Sequence, residues 1–406
     1  MYARVLSGIG VVGAILAAPL VLQLAAPALS GQTQTPSAPS GAAANLKTPW
    51  GEPDLQGIWT YEYDTPLQRP AKYGSQEFFT PEQEAELDKA RAELLGRDKR
   101  VERGSQNDVA GAYNAVFNSV KHLGRRTSLI VDPPNGQLPP AAPEIQKVRA
   151  EDRAFRAALL QSTDTCKKRT GGCAGGTYNA ALSPKFAELA PRYNTQRMNR
   201  FNGPEDGSQA DRCLSDNGGG MPAFTGAMAG SFRRIVQTPG GVTMYYDVGQ
   251  GQGFQRNIVM DGSPHLPANI RQWFGDSRGH WEGNTLVIDV TNFTPELEYM
   301  GSRENLHLVE RWRRTSPTNL EFIVKVEDPT VWTAPWTVKQ ELSKQNDKEN
   351  RIYYEPRCAE GNYAFPTLLL NGRLADKAFA DGKGPRPDTI DNASDFGGGE
   401  ENPLAR

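Results

Sequence analysis

Histidine and cysteine are scarce in this 406-residue chain, with four of each. His122, His265, His280 and His307 have no metal-ligand spacing, and the lone C-x6-C pair Cys166/Cys173 matches no common zinc pattern, so no metal is expected. The usual catalytic signatures are missing as well. There is no Gly-x-Ser-x-Gly elbow, no Gly-x-x-x-x-Gly-Lys phosphate loop and no His-Glu-x-x-His helix. The Gly-Gln-Gly-Gln-Gly run at 249–253 follows a strand pattern, but no helix pattern follows it, which reads as a hairpin turn and not a dinucleotide loop. No cofactor is expected. Charge of one sign is lacking too, since 45 Lys+Arg stand against 47 Asp+Glu, a net of −2. That balance gives no electrostatic case for nucleic acid or an anionic membrane as partner.

The long apolar run sits at the N-terminus. Arg4 precedes a run from Val5 to about Leu24, and small residues close it at Ala25-Ala-Pro-Ala-Leu-Ser30. A basic start, an apolar stretch and a small-residue end read as a signal peptide over 1–30, cleaved between Ala25 and Gly31. Pro19, Gln23 and Pro27 make it a poor permanent anchor, so no membrane insertion is expected after cleavage. Removing Arg4 leaves 44 basic against 47 acidic residues, a net of −3. Residues 31–46 are a Pro/Ser/Ala linker, 47–380 read as one folded domain, and 381–406 as a Gly/Asp/Pro-rich disordered tail.

Export makes disulfides the natural state of the four cysteines, and four cysteines allow three pairings. Cys166 and Cys173 flank a short Gly-rich loop and are expected to close it, leaving Cys213 and Cys358 to pair.

Two helices are expected. One starts at Thr80-Pro81-Glu-Gln83 with a capping box and carries Leu87, Leu94 and Leu95. The other spans Pro143 to Leu160, with Ile145, Val148, Phe155 and Leu159 at helical spacing. From Phe232 onward the period becomes two. Strands are read at 234–238, 242–248, 255–260, 285–291, 306–314, 319–327, 337–343 and 351–355, with turns between them, and Gly57–Trp59 and 128–131 as additions. His265 to Asp276 reads as a connection, and Gly279 to Asn284 as an acidic turn. Consecutive hairpins with one apolar face each avoid open edges by closing on themselves. The expected fold is mainly β, an antiparallel up-and-down barrel with its core at 232–357 and a few peripheral helices. A two-sheet sandwich is the alternative.

Several long strings resemble those of a large group of exported bacterial proteins of unknown function. They are Pro49-Trp-Gly-Glu-Pro-Asp-Leu-Gln-Gly-Ile-Trp59, Arg126-Thr-Ser-Leu-Ile-Val-Asp-Pro-Pro-Asn-Gly136, Ile270-Arg-Gln-Trp-Phe-Gly-Asp-Ser-Arg-Gly-His-Trp-Glu-Gly-Asn-Thr-Leu-Val287 and Glu304-Asn-Leu-His-Leu-Val-Glu-Arg-Trp312. Glu327-Asp-Pro329 and Cys358-Ala-Glu-Gly-Asn-Tyr363 belong to the same set. The resemblance spans most of the mature chain and implies a periplasmic or secreted protein, but carries no activity. Gly57-Ile-Trp59 is also similar to the Gly-x-Trp of lipocalins, which implies a first barrel strand.

On the 305–313 strand, Leu306, Leu308 and Trp312 share a face with Glu310, while His307, Val309, Arg311 and Arg313 lie opposite. Glu310 is then a carboxylate inside an apolar barrel, either a proton-transfer group or the partner of an inward arginine. His307 is the second candidate acid or base. Tyr246, Trp312 and Tyr354 are the candidate walls of a ligand pocket. Arg271 either clamps a ligand carboxylate or pairs with Asp276 or Glu282. Trp332 and Trp336 flank Pro335 as a lid or a plug. The missing nucleophile motifs favour a binding protein for a small, partly apolar or aromatic molecule. A cofactor-independent lyase, isomerase or hydrolase using Glu310 or His307 is the alternative.

Overall fold

In the computed structural model ten strands form among the described residues, most of them on a period-two pattern of buried side chains. The structure describes residues 46–61, 65–95, 124–168, 173–190, 199–207, 212–214, 232–249, 252–345 and 363–390. In chain order the strands are β1 (Gly57–Thr60), β2 (Ile130–Asp132), β3 (Phe232–Thr238), β4 (Gly241–Gly249), β5 (Gln252–Val259), β6 (Asp276–Glu282), β7 (Thr285–Thr291), β8 (His307–Ser316), β9 (Asn319–Glu327) and β10 (Trp336–Lys344). Helices α1 (Pro81–Leu95), α2 (Pro143–Leu160), α3 (Asp164–Lys168) and α4 (Ala364–Ala380) lie outside the sheet sequence.

The sheet runs β1-β3-β4-β5-β6-β7-β8-β9-β10 and closes where β1 also pairs with β10, at Trp59↔Lys344 and Thr60↔Ser343. The result is a closed nine-stranded barrel. β2 adds to the free part of the β10 edge, at Val338↔Ile130 and Thr337↔Asp132. Closure removes the open edges that a meander of this length would otherwise present to other chains.

Alternation fills the interior. Leu320, Phe322, Val324 and Val326 of β9 are buried, as are Leu308, Glu310 and Trp312 of β8, and Val242, Met244 and Tyr246 of β4. Trp59, Trp312, Phe322 and Trp336 are among the largest fully buried side chains. Each large apolar side chain removed from water contributes about 2–3 kcal/mol. Trp332 and Trp336 meet edge-to-face at 5.4 Å and both are buried, so they plug rather than cover.

At one junction the barrel is not antiparallel. β5 and β6 run parallel and share a single residue pair, Val259↔Arg278. Residues 260–275 must therefore travel between two strands pointing the same way, where a hairpin turn would not reach. The sequence reading missed β6 because its inward positions carry Ser277 and Gly279, so apolar alternation is absent. Gly279 is required there: a Cβ would lie 2.5 Å from Met260 Sδ and 2.6 Å from Ile258 Cγ2.

One expectation is corrected here and one element is new. The expected tail from 381 begins too early, because Pro387–Thr389 forms a 3-10 turn with Asp388 buried and bonded by Ser162 Oγ at 2.7 Å and by Arg386. α4 has no counterpart in the sequence reading, and its Leu368, Leu370, Leu374 and Phe379 are exposed. The expected strand at 351–355, the signal peptide, the linker to residue 45 and the tail beyond 390 lie outside the described residues.

Candidate functional site

Inside the apolar barrel lies a small polar cluster. β8 alternates in and out, so Glu310 enters the interior between Leu308 and Trp312, and it is fully buried. In the antiparallel β4–β5 pair, Met244 stands opposite Arg256, which places Arg256 on the same inward face. Arg256 Nη1 donates to Glu310 Oε1 at 2.8 Å and to the Tyr246 hydroxyl at 3.1 Å, while its Nη2 donates to Ser277 Oγ at 3.0 Å. Trp312 Nε1 donates to the other Glu310 oxygen at 3.0 Å. Both carboxylate oxygens are thus held.

A second arginine shares the interior. Arg233 of β3 stands opposite Tyr246, is buried, and its Nη2 lies 3.5 Å from Gln340 Oε1. Both guanidinium carbons sit 5.8 Å from the Tyr246 ring centroid. Burial lowers the Arg233 pKa, against the pull of Tyr246, Glu310 and Tyr61. For Arg256 burial is the largest influence and works in the same direction, but Glu310 and Tyr246 together outweigh it and raise the pKa. Burial pushes the Tyr246 and Tyr61 phenols up to about 12, so both stay protonated donors.

From this cluster an aromatic column leads to the wall. Tyr246 stacks on Phe254 at 4.9 Å, and Phe254 stacks on Phe274 at 3.9 Å. Phe274 belongs to the 260–275 segment, beside the single-pair junction of β5 and β6. Among the described strand pairings that junction has the fewest residue pairs, and Phe274 stacks on Phe254 of β5 beside it.

Among the residues singled out from sequence, Glu310, Tyr246 and Trp312 come together. Arg271 does not join them. It is exposed and donates to the carbonyls of Phe293 at 3.1 Å and Glu304 at 3.0 Å, so it neither clamps a ligand in the barrel nor pairs with Asp276 or Glu282. Its strand-free segment turns the side chain along the outer surface. His307 is on the outer wall, with Nδ1 2.9 Å from Glu327 Oε2 and Nε2 3.1 Å from Asp289 Oδ2. It has no route to the interior cluster through a hydrogen bond. Tyr354 and Cys358 lie outside the described residues. Cys166 and Cys173 are bonded, and Cys213 is also disulfide-bonded.

Arg256, Arg233, Ser277 and Gln340 escaped the sequence reading. Arg256 and Arg233 carried a usable signal, since each stands opposite an inward residue of β4 in a hairpin of readable register. Ser277 and Gln340 carried none, because a small or polar residue on an inward face looks like a break in the pattern. Cavities of about 130 Å³, between α2 and residues 301–305, and about 290 Å³, beside α1, both lie outside the barrel. Among the described residues no cluster of His, Cys, Asp and Glu is arranged to hold a metal, and no helix is long and apolar enough to cross a membrane.

No family model and no curated protein sequence matches the chain. Among solved structures, a secretory abundant heat soluble protein from Ramazzottius varieornatus aligns at 15% identity and a TM-score of 0.22, covering 34% of this chain and 86% of that one.

Proposed function

We propose that this is an exported binding protein whose barrel takes a small, partly apolar or aromatic molecule bearing an acid group. One observation carries the reading: two guanidinium groups and one carboxylate, from Arg233, Arg256 and Glu310, are buried in the described interior of an otherwise apolar barrel. Taking each ion out of water costs several kcal/mol, and an apolar filling of equal volume would hold a barrel at least as well. A guanidinium's planar fork of N–H donors is the group that suits a carboxylate or other acid. Tyr246, a protonated phenol between the two arginines, adds a donor, and Phe254 offers a face for an aromatic ring.

Side chains fill this region, so a ligand ring takes the place of Phe274 against Phe254 and its acid group reaches Arg256 and Tyr246. Burial of most of a small ligand's surface, with few polar contacts, is the usual character of such a site. The proton-transfer alternative receives no support from the geometry. Glu310 has both oxygens occupied, and His307 faces outward.

Export rests on the sequence reading of the first thirty residues, with the Cys166–Cys173 bond compatible with it. Intact mass of protein recovered from the periplasm or medium tests it: a mass lacking the leader supports export, and a full-length mass in the cytoplasm counts against it. For binding, a thermal-shift screen of aromatic and branched carboxylic acids and their methyl esters is the test. Acids are expected to raise Tm and esters to do so less. Equal shifts from acids and esters, or none from either, would reject the anionic-ligand reading.

A further inference from the structure

On the outer wall, five side chains, four from strands and one from the 260–275 segment, form one unbroken chain. Asp276 Oδ2 lies 2.8 Å from His265 Nδ1, and His265 Nε2 lies 2.8 Å from Asp289 Oδ1. The other Asp289 oxygen is 3.1 Å from His307 Nε2, and His307 Nδ1 is 2.9 Å from Glu327 Oε2. Each imidazole is therefore sandwiched between two carboxylates.

The donor count follows from elementary chemistry. An ionised carboxylate only accepts, and a neutral imidazole has one N–H. Four such hydrogen bonds need four ring protons, so the full chain exists only when both rings are imidazolium. Loss of one ring proton turns one contact into two lone pairs facing each other at about 3 Å, a repulsion.

The chain joins parts of unequal stability. Asp289, His307 and Glu327 belong to β7, β8 and β9, which pair over their lengths. His265 belongs to the 260–275 segment, which spans the single-pair junction and carries Phe274. We infer that the Asp276–His265–Asp289–His307–Glu327 chain is a proton-dependent clasp that holds the 260–275 segment closed over the seam between β5 and β6. It rests on the ligand reading only in making that seam the ligand's way in.

The remaining charged groups around the clasp act on the carboxylates. Arg278 of β6 donates to both Asp276 oxygens, at 2.9 and 3.0 Å, and reaches Ser263, which also bonds Asp261. Lys325 of β9 pairs with Glu327 at 2.5 Å. The Leu266 N–H donates to Asp276 at 3.0 Å. These contacts hold Asp276 and Glu327 below the ordinary carboxyl range, Asp276 against its burial, and the His307 hydrogen bond does the same for Asp289. Hydrogen bonding to Asp289, opposed by burial, raises the His307 pKa above its ordinary value, with Glu327 adding to the effect. The four-bond chain is accordingly complete in mild acid and loses its first contact, at His307, as pH rises through that raised value, which weakens the hold of Asp289 on the segment.

Hydrogen–deuterium exchange of the ligand-free protein tests this between roughly pH 5.5 and 8.5, with rates corrected for intrinsic exchange. The peptide covering 260–275 is expected to lose about tenfold or more of its protection across that range, while the β9 peptide 319–327 keeps its own. His265→Gln should show the low protection at every pH. Asp289→Asn, which leaves both histidines in place, should move the transition to lower pH. His280→Gln, altering an exposed histidine outside the clasp that bonds Glu282, should follow the wild type. Constant protection of 260–275 across the range, or an unaltered transition in both His265→Gln and Asp289→Asn, would overturn the clasp. With no ligand in the experiment, either result leaves the binding proposal standing or falling on its own screen.

Discussion

Arg314 lies across the indole of Trp59, with Cζ 5.2 Å from the ring centroid, and ties the first barrel strand to the β8–β9 turn. Its Nη1 donates to the Asp54 carbonyl at 2.9 Å and its Nη2 to the Pro317 carbonyl at 2.7 Å. Trp59 Nε1 in turn donates to the Leu55 carbonyl at 2.9 Å. Gly57, at φ +143°, lets the chain turn in close beside this indole, where a Cβ would stand 3.5 Å from Trp59 Nε1 and 3.1 Å from Lys344 Cε. This contact set closes the barrel, since Trp59 also pairs with Lys344 of β10.

The first prediction concerns that closure. Arg314→Met should cost about 1–2 kcal/mol through the lost cation–π contact and the lost carbonyl bonds. Arg314→Lys should recover little, because an ammonium cannot lie flat on the ring while reaching two carbonyls. Urea denaturation midpoints of the three proteins measure both effects.

Glu310 makes the second prediction. Glu310→Gln leaves Arg256 buried without its counter-charge and should cost on the order of 3–5 kcal/mol. Combining it with Arg256→Met removes the stranded charge and should restore much of that loss. A double-mutant cycle in urea measures the coupling, and simple additivity would speak against the pair acting as a unit.

These residues also mark how far the sequence could be read. Alternation in 306–314 and 319–327 placed Glu310 and Trp312 inside, because strict period two leaves one choice of face once the Leu and Val set is assigned. Gly57-Ile-Trp59 located the first strand. Arg256 was missed for want of one step, carrying the β4 face across the hairpin. β6 was illegible for a deeper reason, since Ser277 serves Arg256 and Gly279 admits Met260, and both jobs erase the apolar pattern. The clasp was invisible as well: His265 and His307 are far apart in the chain and meet only because β7 puts Asp289 between them.

The third prediction tests the tight approach at Gly279. Gly279→Val drives branched methyls into Met260 and Ile258, and should cost about 1–3 kcal/mol by overpacking. Gly279→Ala should cost less, since the Met260 thioether can move aside. Thermal melts rank the two.

Stability should peak between two pH limbs. Hydrogen bonds from His307 hold the Asp289 carboxyl below its ordinary pKa, the Lys325 contact does so for Glu327, and Arg278 and Leu266 do so for Asp276 against its burial. Those contributions are present above the carboxyls' unfolded values and are lost as pH falls through the folded ones. His307, raised by Asp289, contributes fully below its unfolded value and loses that contribution as pH rises through the folded value. His307→Gln should flatten the alkaline limb and leave most of the acid limb. Urea midpoints across the pH range, in both proteins, give the comparison.

The central claim is that the buried arginine–tyrosine cluster recognises an acid inside the barrel. The most direct measurement is calorimetric titration of the best acid from the screen into wild-type protein, Tyr246→Phe and the Arg256→Met/Glu310→Gln double variant, each first shown to be folded by its melt. The wild type should bind, Tyr246→Phe should lose about 1–2 kcal/mol of affinity with its hydroxyl, and the double variant should lose most of the preference for acid over ester. Equal affinity for the acid in all three proteins would contradict the account, because it would place the ligand somewhere other than at Arg256 and Tyr246.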